Sequence, residues 1–258
     1  MTANSQFIPI KALLALMRRE PRWQSPSKGR SADLENRSPV FIKKRQKSLM
    51  HSLEGDLTKR GFDVVFSLLV LIFLSPLYLI LAFLIAISSP GPIFYVQQRV
   101  GKNYKRFGCL KFRTMVRNAD EMLESMIAQS PQMREEFEKD FKLREDPRIT
   151  WIGKFLRLTS LDEFPQFWNV LMGDMSVVGP RPLVPEELCK YGNRIDKILT
   201  IRPGITGLWQ VSGRNDIPYP QRVQIDVYYI NCRNWLMDLW IVIKTIGVVI
   251  FPHNNGAY

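Results

Sequence analysis

The sequence predicts an α/β protein, mostly helical with one short β-hairpin, built from a membrane-embedded re-entrant helix–break–helix and a cytosolic domain at the interface. Three observations lead there. The run Val64–Ile87 has 24 residues without a charge and carries Ser75-Pro76 at its middle. Cations stand on both sides of that run. Beyond it, two short β-type runs give way to stretches with apolar residues at helical intervals.

Residues 1–58 are polar, basic and rich in Ser, Pro and Arg apart from the apolar patch Ile8–Met17, so the sequence predicts a basic, mostly flexible arm. The patch contains Lys11, is followed by Arg18 and Arg19 and lacks a small-residue cleavage site, which makes it a poor signal peptide. Much of the net charge of +12 sits in this arm, and it calls for an anionic partner: nucleic acid, a phosphorylated substrate or an acidic lipid surface.

Residues 59–90 form the membrane element. A straight helix over Val64–Ile87 would reach about 36 Å, enough to cross a hydrocarbon core of roughly 30 Å. Pro76, however, removes a backbone hydrogen bond and crowds the carbonyl of Ile72, which predicts a kink. Lys59 and Arg60 precede the run, and Arg99, Lys102, Lys105, Arg106, Lys111 and Arg113 follow it, so both ends prefer the cytoplasmic face. A helix that dips in, bends at Ser75-Pro76 and returns satisfies both ends better than a crossing does.

Residues 91–258 make the remaining domain. Ile93–Val100 and Phe107–Met115 flank GKNYKR as a hairpin. Residues 116–145 are densely charged and broken at Ser130-Pro131, which predicts two exposed amphipathic helices. Ile152–Met172 is helical in pattern. After a loop with Gly, Pro and Arg, the C-terminal run from Tyr228 to Phe251 predicts a core or membrane-surface helix, since Lys244 interrupts it.

The three cysteines are widely spaced and the two histidines, His51 and His253, lie in terminal segments. Histidine-based triads and Cys/His metal sites are thereby disfavoured, and a reducing cytosolic side is the simplest setting. There is no GxGxxG and no GxxxxGK[ST]. Chemistry must rest on carboxylates and cations. The stretch TSLDEFPQFWNVLMGDMSVVGPRP, Thr159–Pro182, supplies both. Ser160 and Glu163 fit a capping box, which alone would explain the acids structurally. That reading leaves Arg181, held between Pro180 and Pro182, without a purpose. In the functional alternative, a carboxylate of Asp162 or Glu163 attacks phosphorus without a histidine base, and Mg²⁺ between the two acids and a diphosphate relieves their repulsion. An arginine fork fixed by two prolines suits phosphate, so the parts suit phosphoryl transfer.

The runs KRGFDVVFSLLVLIFLSPLYLILAFLIAI, KFRTM, DPRIT, LRLTSLDEFPQFWNVLMGDMSVVGPRP and RPGITGLWQVSGRND resemble the bacterial sugar transferases, monotopic polyprenyl-phosphate sugar-1-phosphate transferases. The likeness covers roughly residues 57–258 and is nearest to the undecaprenyl-phosphate galactose-phosphate transferases of exopolysaccharide synthesis; residues 1–56 have no recognised counterpart. The resemblance implies transfer of a sugar-1-phosphate, galactose first and glucose second, from a UDP-sugar to undecaprenyl phosphate with release of UMP. It implies Asp162 as nucleophile, Glu163 as its partner acid near Mg²⁺, Arg181 as the phosphate-binding arginine and Arg157 as a supporting one. Ser75-Pro76 would be the break of a re-entrant helix in the bacterial inner membrane, with the catalytic domain facing the cytoplasm. Lys111 and Arg113 are further phosphate-binding candidates, and Asp174 is better explained as ending a helix after Gly173. Phe164, Phe167 and Trp168 are bulkier than the aliphatic residues usual there. The alternatives are a membrane-anchored scaffold holding anionic lipid or nucleic acid, and a glycosyltransferase releasing UDP; no DxD motif supports the latter. Nucleic acid is not expected as a partner of the enzyme, and homo-oligomerisation is left open by the sequence.

Overall fold

The computed structural model describes residues 39–140, 143 and 146–250, with side chains from residue 56 onward except at 138–140 and 215. The chain divides into a unit ending at Arg60 and a unit beginning at Gly61, and the second holds the elements that build the site. The apolar patch Ile8–Met17 and the terminal residues 251–258 lie outside the described residues.

The first helix, α1, runs over Pro39–Phe73, and α2 over Ser75–Ser88. The boundary expected at residue 58 therefore falls inside a helix. Proline suits a first helical turn, and the Lys, Gln, Leu, Met and Glu residues that follow are good helix formers. No single helix among the described residues is long and apolar enough to cross a membrane, but Asp56–Phe73 and Ser75–Ser88 together pass that test as a pair bent by 62°. The bend has a clear cause. Pro76 cannot donate to the Ile72 carbonyl, and the Ser75 hydroxyl takes that acceptor instead at 2.8 Å. Both arms expose large apolar side chains, among them Val65, Ile72 and Phe73 before the bend and Leu79, Phe83 and Ile87 after it.

The expected hairpin is present: β1, Phe94–Val100, pairs antiparallel with β2, Arg106–Phe112. Two charged helices follow, α3 at Ala119–Gln129 and α4 at Pro131–Asp140, split as expected at Ser130-Pro131. The helical pattern of Ile152–Met172 is divided into α5, Trp151–Thr159, a 3₁₀ turn, Leu161–Glu163, and α6, Gln166–Met172. Ser160 in the left-handed region, φ 58°, ends α5, and Pro165 starts α6, so the segment cannot run as one helix.

A short strand β3, Ser176–Val178, lies parallel to β4, Gly204–Thr206. Between them come α7, Leu188–Tyr191, and α8, Ile195–Ile198; after β4 come α9, Tyr219–Cys232, and α10, Trp235–Ile250. The C-terminal run is thus two helices. Asn234 breaks it by accepting the amide of Met237 at 2.9 Å, an N-cap that starts α10. One face of α10 is in the core, with Asp238, Ile241 and Val242 buried, while Leu236, Ile243, Ile246 and Ile250 are exposed.

Two packed clusters position the site. In one, Leu81 and Ile85 of α2 meet Phe112 of β2 and Ile152 and Leu156 of α5. In the other, Leu183 and the helices α7 and α8 pack on Val223 of α9. Buried Asp63 of α1 ties the first helix to β3, accepting from Ser176 Oγ at 3.1 Å and Val177 N at 3.0 Å. Asn169 of α6 completes the edge of β2 with two bonds, accepting from Leu110 N at 2.9 Å and donating to Gly108 O at 2.8 Å.

Candidate active site

The 3₁₀ turn places Asp162 and Glu163 between the bent helices and the hairpin. Tyr78, three residues beyond Ser75, donates its phenol to the carbonyl of Phe164 at 2.8 Å, which fixes the turn to α2. The capping box does not form. Glu163 N bonds the Ser160 carbonyl at 3.3 Å, but the Ser160 hydroxyl accepts from Arg214 Nη2 at 3.0 Å. Freed from the helix end, the Glu163 carboxylate accepts from Lys111 Nζ at 2.8 Å and lies 3.6 Å from Arg181 Nη1.

Arg181 owes its placement to bonds on both flanking prolines. Gly204 N donates to Pro180 O at 2.8 Å, and Arg99 Nη1 donates to Pro182 O at 2.9 Å. The adjacent Gly179 approaches Gly204 so closely that a Cβ on either would meet the other's backbone. A cleft opens beside this frame, lined by Arg99, Lys111, Glu163, Gln166, Arg181 and Gln210 among others, with an empty volume of about 200 Å³.

The two acids are shifted in opposite directions. Burial pushes Asp162 above the usual aspartate value and the neighbouring Glu163 adds to that, against Lys111, Arg157 and Arg181. Burial pushes Glu163 the same way, but Lys111 and Arg181 outweigh it and hold Glu163 below the usual range. Arg181 is raised, because Glu163 and other anions outweigh the burial that opposes its charge. Glu163 is therefore the fixed anion, and Asp162 the more basic one. No hydrogen bond to the Asp162 carboxylate is found among the described residues.

The structure brings Asp162, Glu163, Lys111 and Arg181 together. Arg157 is near enough for Asp162 to support its charge, and its Nε donates to Thr114 Oγ1 at 3.0 Å. Arg113 is elsewhere: its guanidinium is buried and donates to the carbonyls of Ser89, at 2.5 Å, and Pro90, at 2.9 Å, closing the end of α2. A phosphate role for Arg113 finds no support in this geometry. Asp174 follows Gly173, which ends α6, and pairs with Lys105 at 2.8 Å. The bulky aromatics do not line the cleft: the Phe167 ring centroid is 6.1 Å from that of Phe66 of α1 and 6.0 Å from that of Phe164, while Trp168 is exposed.

Sequence reasoning gave no site role to Arg99, Gln210 or Arg214. Arg99 had appeared only as a flanking charge, and the other two lie in a loop that reaches the site through contacts distant in sequence. The arginine within SGRND was the one available signal.

Among the described residues no group of three or more Cys, His, Asp or Glu side chains converges as a metal cage. Mg²⁺ needs none. It is held by one or two carboxylates, waters and substrate phosphates, and adjacent Asp162 and Glu163 beside a cationic cleft fit that open kind of site.

The model of the family described as bacterial sugar transferase matches residues 54–252. The chain belongs to the bacterial sugar transferase family. Within this sugar transferase family, an undecaprenyl-phosphate galactose phosphotransferase of Salmonella typhimurium is 50% identical over 202 residues, covering 78% of this chain and 41% of the relative. An exopolysaccharide production protein, ExoY, of Rhizobium meliloti is 43% identical over 231 residues, covering 89% of this chain and 100% of the relative. A UDP-glucose:undecaprenyl-phosphate glucose-1-phosphate transferase of Klebsiella pneumoniae is 36% identical over 212 residues, covering 78% and 41%. The chain thus spans well under half the length of the Salmonella relative. The Rhizobium alignment is longer than residues 57–258 can hold, so part of the N-terminal arm has a counterpart after all.

Proposed function

We propose that this sugar transferase moves a sugar-1-phosphate, galactose-1-phosphate first and glucose-1-phosphate second, from a UDP-sugar to undecaprenyl phosphate and releases UMP. The observation that carries the reading is the acid turn: Asp162 beside Glu163, which Lys111 and Arg181 hold ionised, bonded through Phe164 to an apolar bent helix pair. A donor soluble in water and an acceptor with an isoprenoid tail meet only where such a cleft adjoins such helices. The names and identities of the relatives support the substrate class and favour galactose over glucose.

In the first step Asp162 Oδ attacks the phosphorus that bears the sugar. The bond to the bridging oxygen breaks, its electron pair leaves with UMP, and a phosphosugar remains on the carboxylate. Arg181 and Lys111 stabilise charge on the phosphate oxygens, and Glu163 keeps both cations in place. Arg157 supports the ionised Asp162 from the other side. In the second step an oxygen of undecaprenyl phosphate attacks the same phosphorus, the aspartyl bond breaks and the carboxylate returns. Asp162 and Glu163 would hold Mg²⁺, which would neutralise charge on the diphosphate. In this reading the bent pair sits in the inner leaflet of the bacterial inner membrane with the cleft beside it, and the catalytic domain faces the cytoplasm.

The test is nucleotide release from a panel of UDP-sugars with undecaprenyl phosphate and Mg²⁺. UMP is expected, with Asp162→Asn lowering the rate by at least about 10³-fold. Release of UDP, or full activity in Asp162→Asn, would overturn the reading.

A further inference from the structure

Four non-glycine residues among those described take a positive φ. Asn103 and Tyr104 form the hairpin turn. The other two, Ser160 at 58° and Arg214 at 49°, are bonded to each other. Left-handed backbone is unfavourable for side-chain-bearing residues and persists where the surroundings over-determine it. Here the same hydrogen bond ends in both strained residues. Ser160 is the hinge between α5 and the acid turn, and Arg214 follows Gly213, φ 150°, in the loop that also carries Gln210 of the cleft. The two lie 54 positions apart in sequence, so the contact belongs to the tertiary fold.

The Arg214 guanidinium is half-buried, which opposes its charge, and Glu163 and Asp162 are the groups that support it. Only its Nη2 is bonded to a side chain, that of Ser160; the other guanidinium nitrogens have no bond among the described residues. We propose that Arg214 is a positioning residue for Asp162: through Ser160 it holds the left-handed hinge that aims the acid turn. This rests on Asp162 being the nucleophile.

The role is read in variants of the full chain in detergent, as kcat and KM for UMP release. Arg214→Met removes the hinge bond, and its kcat should fall at least about tenfold with KM within about threefold. Ser160→Ala removes the same bond from its other end and should show the same split, and Arg214→Lys, which keeps the charge without the fork, should also lower kcat. The Arg214→Met, Ser160→Ala double variant should be no slower than the slower single one, since both lose one bond. Wild-type kcat in both Arg214→Lys and Ser160→Ala, or a loss carried by KM instead of kcat, overturns the proposal. Should Arg214→Met fail to fold, the latter two decide. Absence of UMP with every donor in the unaltered chain would overturn the proposed function instead.

Discussion

Asp162 gains its chemistry from what surrounds it. A carboxyl held above its ordinary value by burial and by Glu163 is a better nucleophile when ionised, yet it is ionised over a narrower pH range. The acid limb of the rate should therefore lie above the usual aspartate range. Glu163→Gln removes the repelling neighbour and should move that limb to lower pH, while Lys111→Met removes an attracting cation and should move it higher; rate against pH for the three proteins checks both signs. A second buried acid, Asp226, accepts from Tyr191 at 3.0 Å through one oxygen, while the other has no hydrogen-bond partner among the described residues. Burial raises it from 3.8 to about 7, against the Tyr191 bond. A raised value stabilises the fold fully below the unfolded-state value and loses that contribution as pH rises to the folded one. Thermal stability should therefore fall between about pH 3.8 and about pH 7 on this account, and Asp226→Asn should flatten that slope.

At the scale of elements, the local signals were legible and the partnerships were not. Ser75-Pro76 announced the bend and GKNYKR the hairpin, because proline and turn chemistry act within a few residues. The acids and the Pro-Arg-Pro run were found by residue type. What the sequence hid depends on contacts distant along the chain: Arg214 on Ser160, Asp63 on β3, Asn169 on β2, and Arg113 turned to the end of α2. The capping-box spacing at Ser160 and Glu163 misled for the same reason, since stronger distant partners claimed both side chains. Asn169→Ala should lose two bonds to β2 and leave Leu110 N and Gly108 O unpaired, costing about 2 kcal/mol in chemical denaturation. Pro76→Ala restores the backbone donor to Ile72 O that proline removes and should straighten the pair. Cysteines placed at Leu57 and Pro92, in a background without Cys189 and Cys232, should label from one side of the membrane in the bent protein; labelling from opposite sides would show a crossing.

Over the whole molecule, apolar surface and charge favour the same location. The exposed faces of α1, α2 and α10 lie in one unit from Gly61 onward, where Phe62 and Trp235 meet edge to face at 5.0 Å. A protein of net charge +12 held by charge alone would leave an anionic vesicle in high salt. With these faces inserted it should stay bound at 1 M salt and leave only with detergent, which sedimentation with vesicles checks. The bond from Tyr78 to Phe164 then acquires a mechanical meaning. It couples the depth at which the bent pair settles to the height of the acid turn above the lipid headgroups. Bilayer thickness becomes a variable of catalysis: lipids whose acyl chains mismatch the pair should slow the intact enzyme, and Tyr78→Phe, lacking the tie, should respond less.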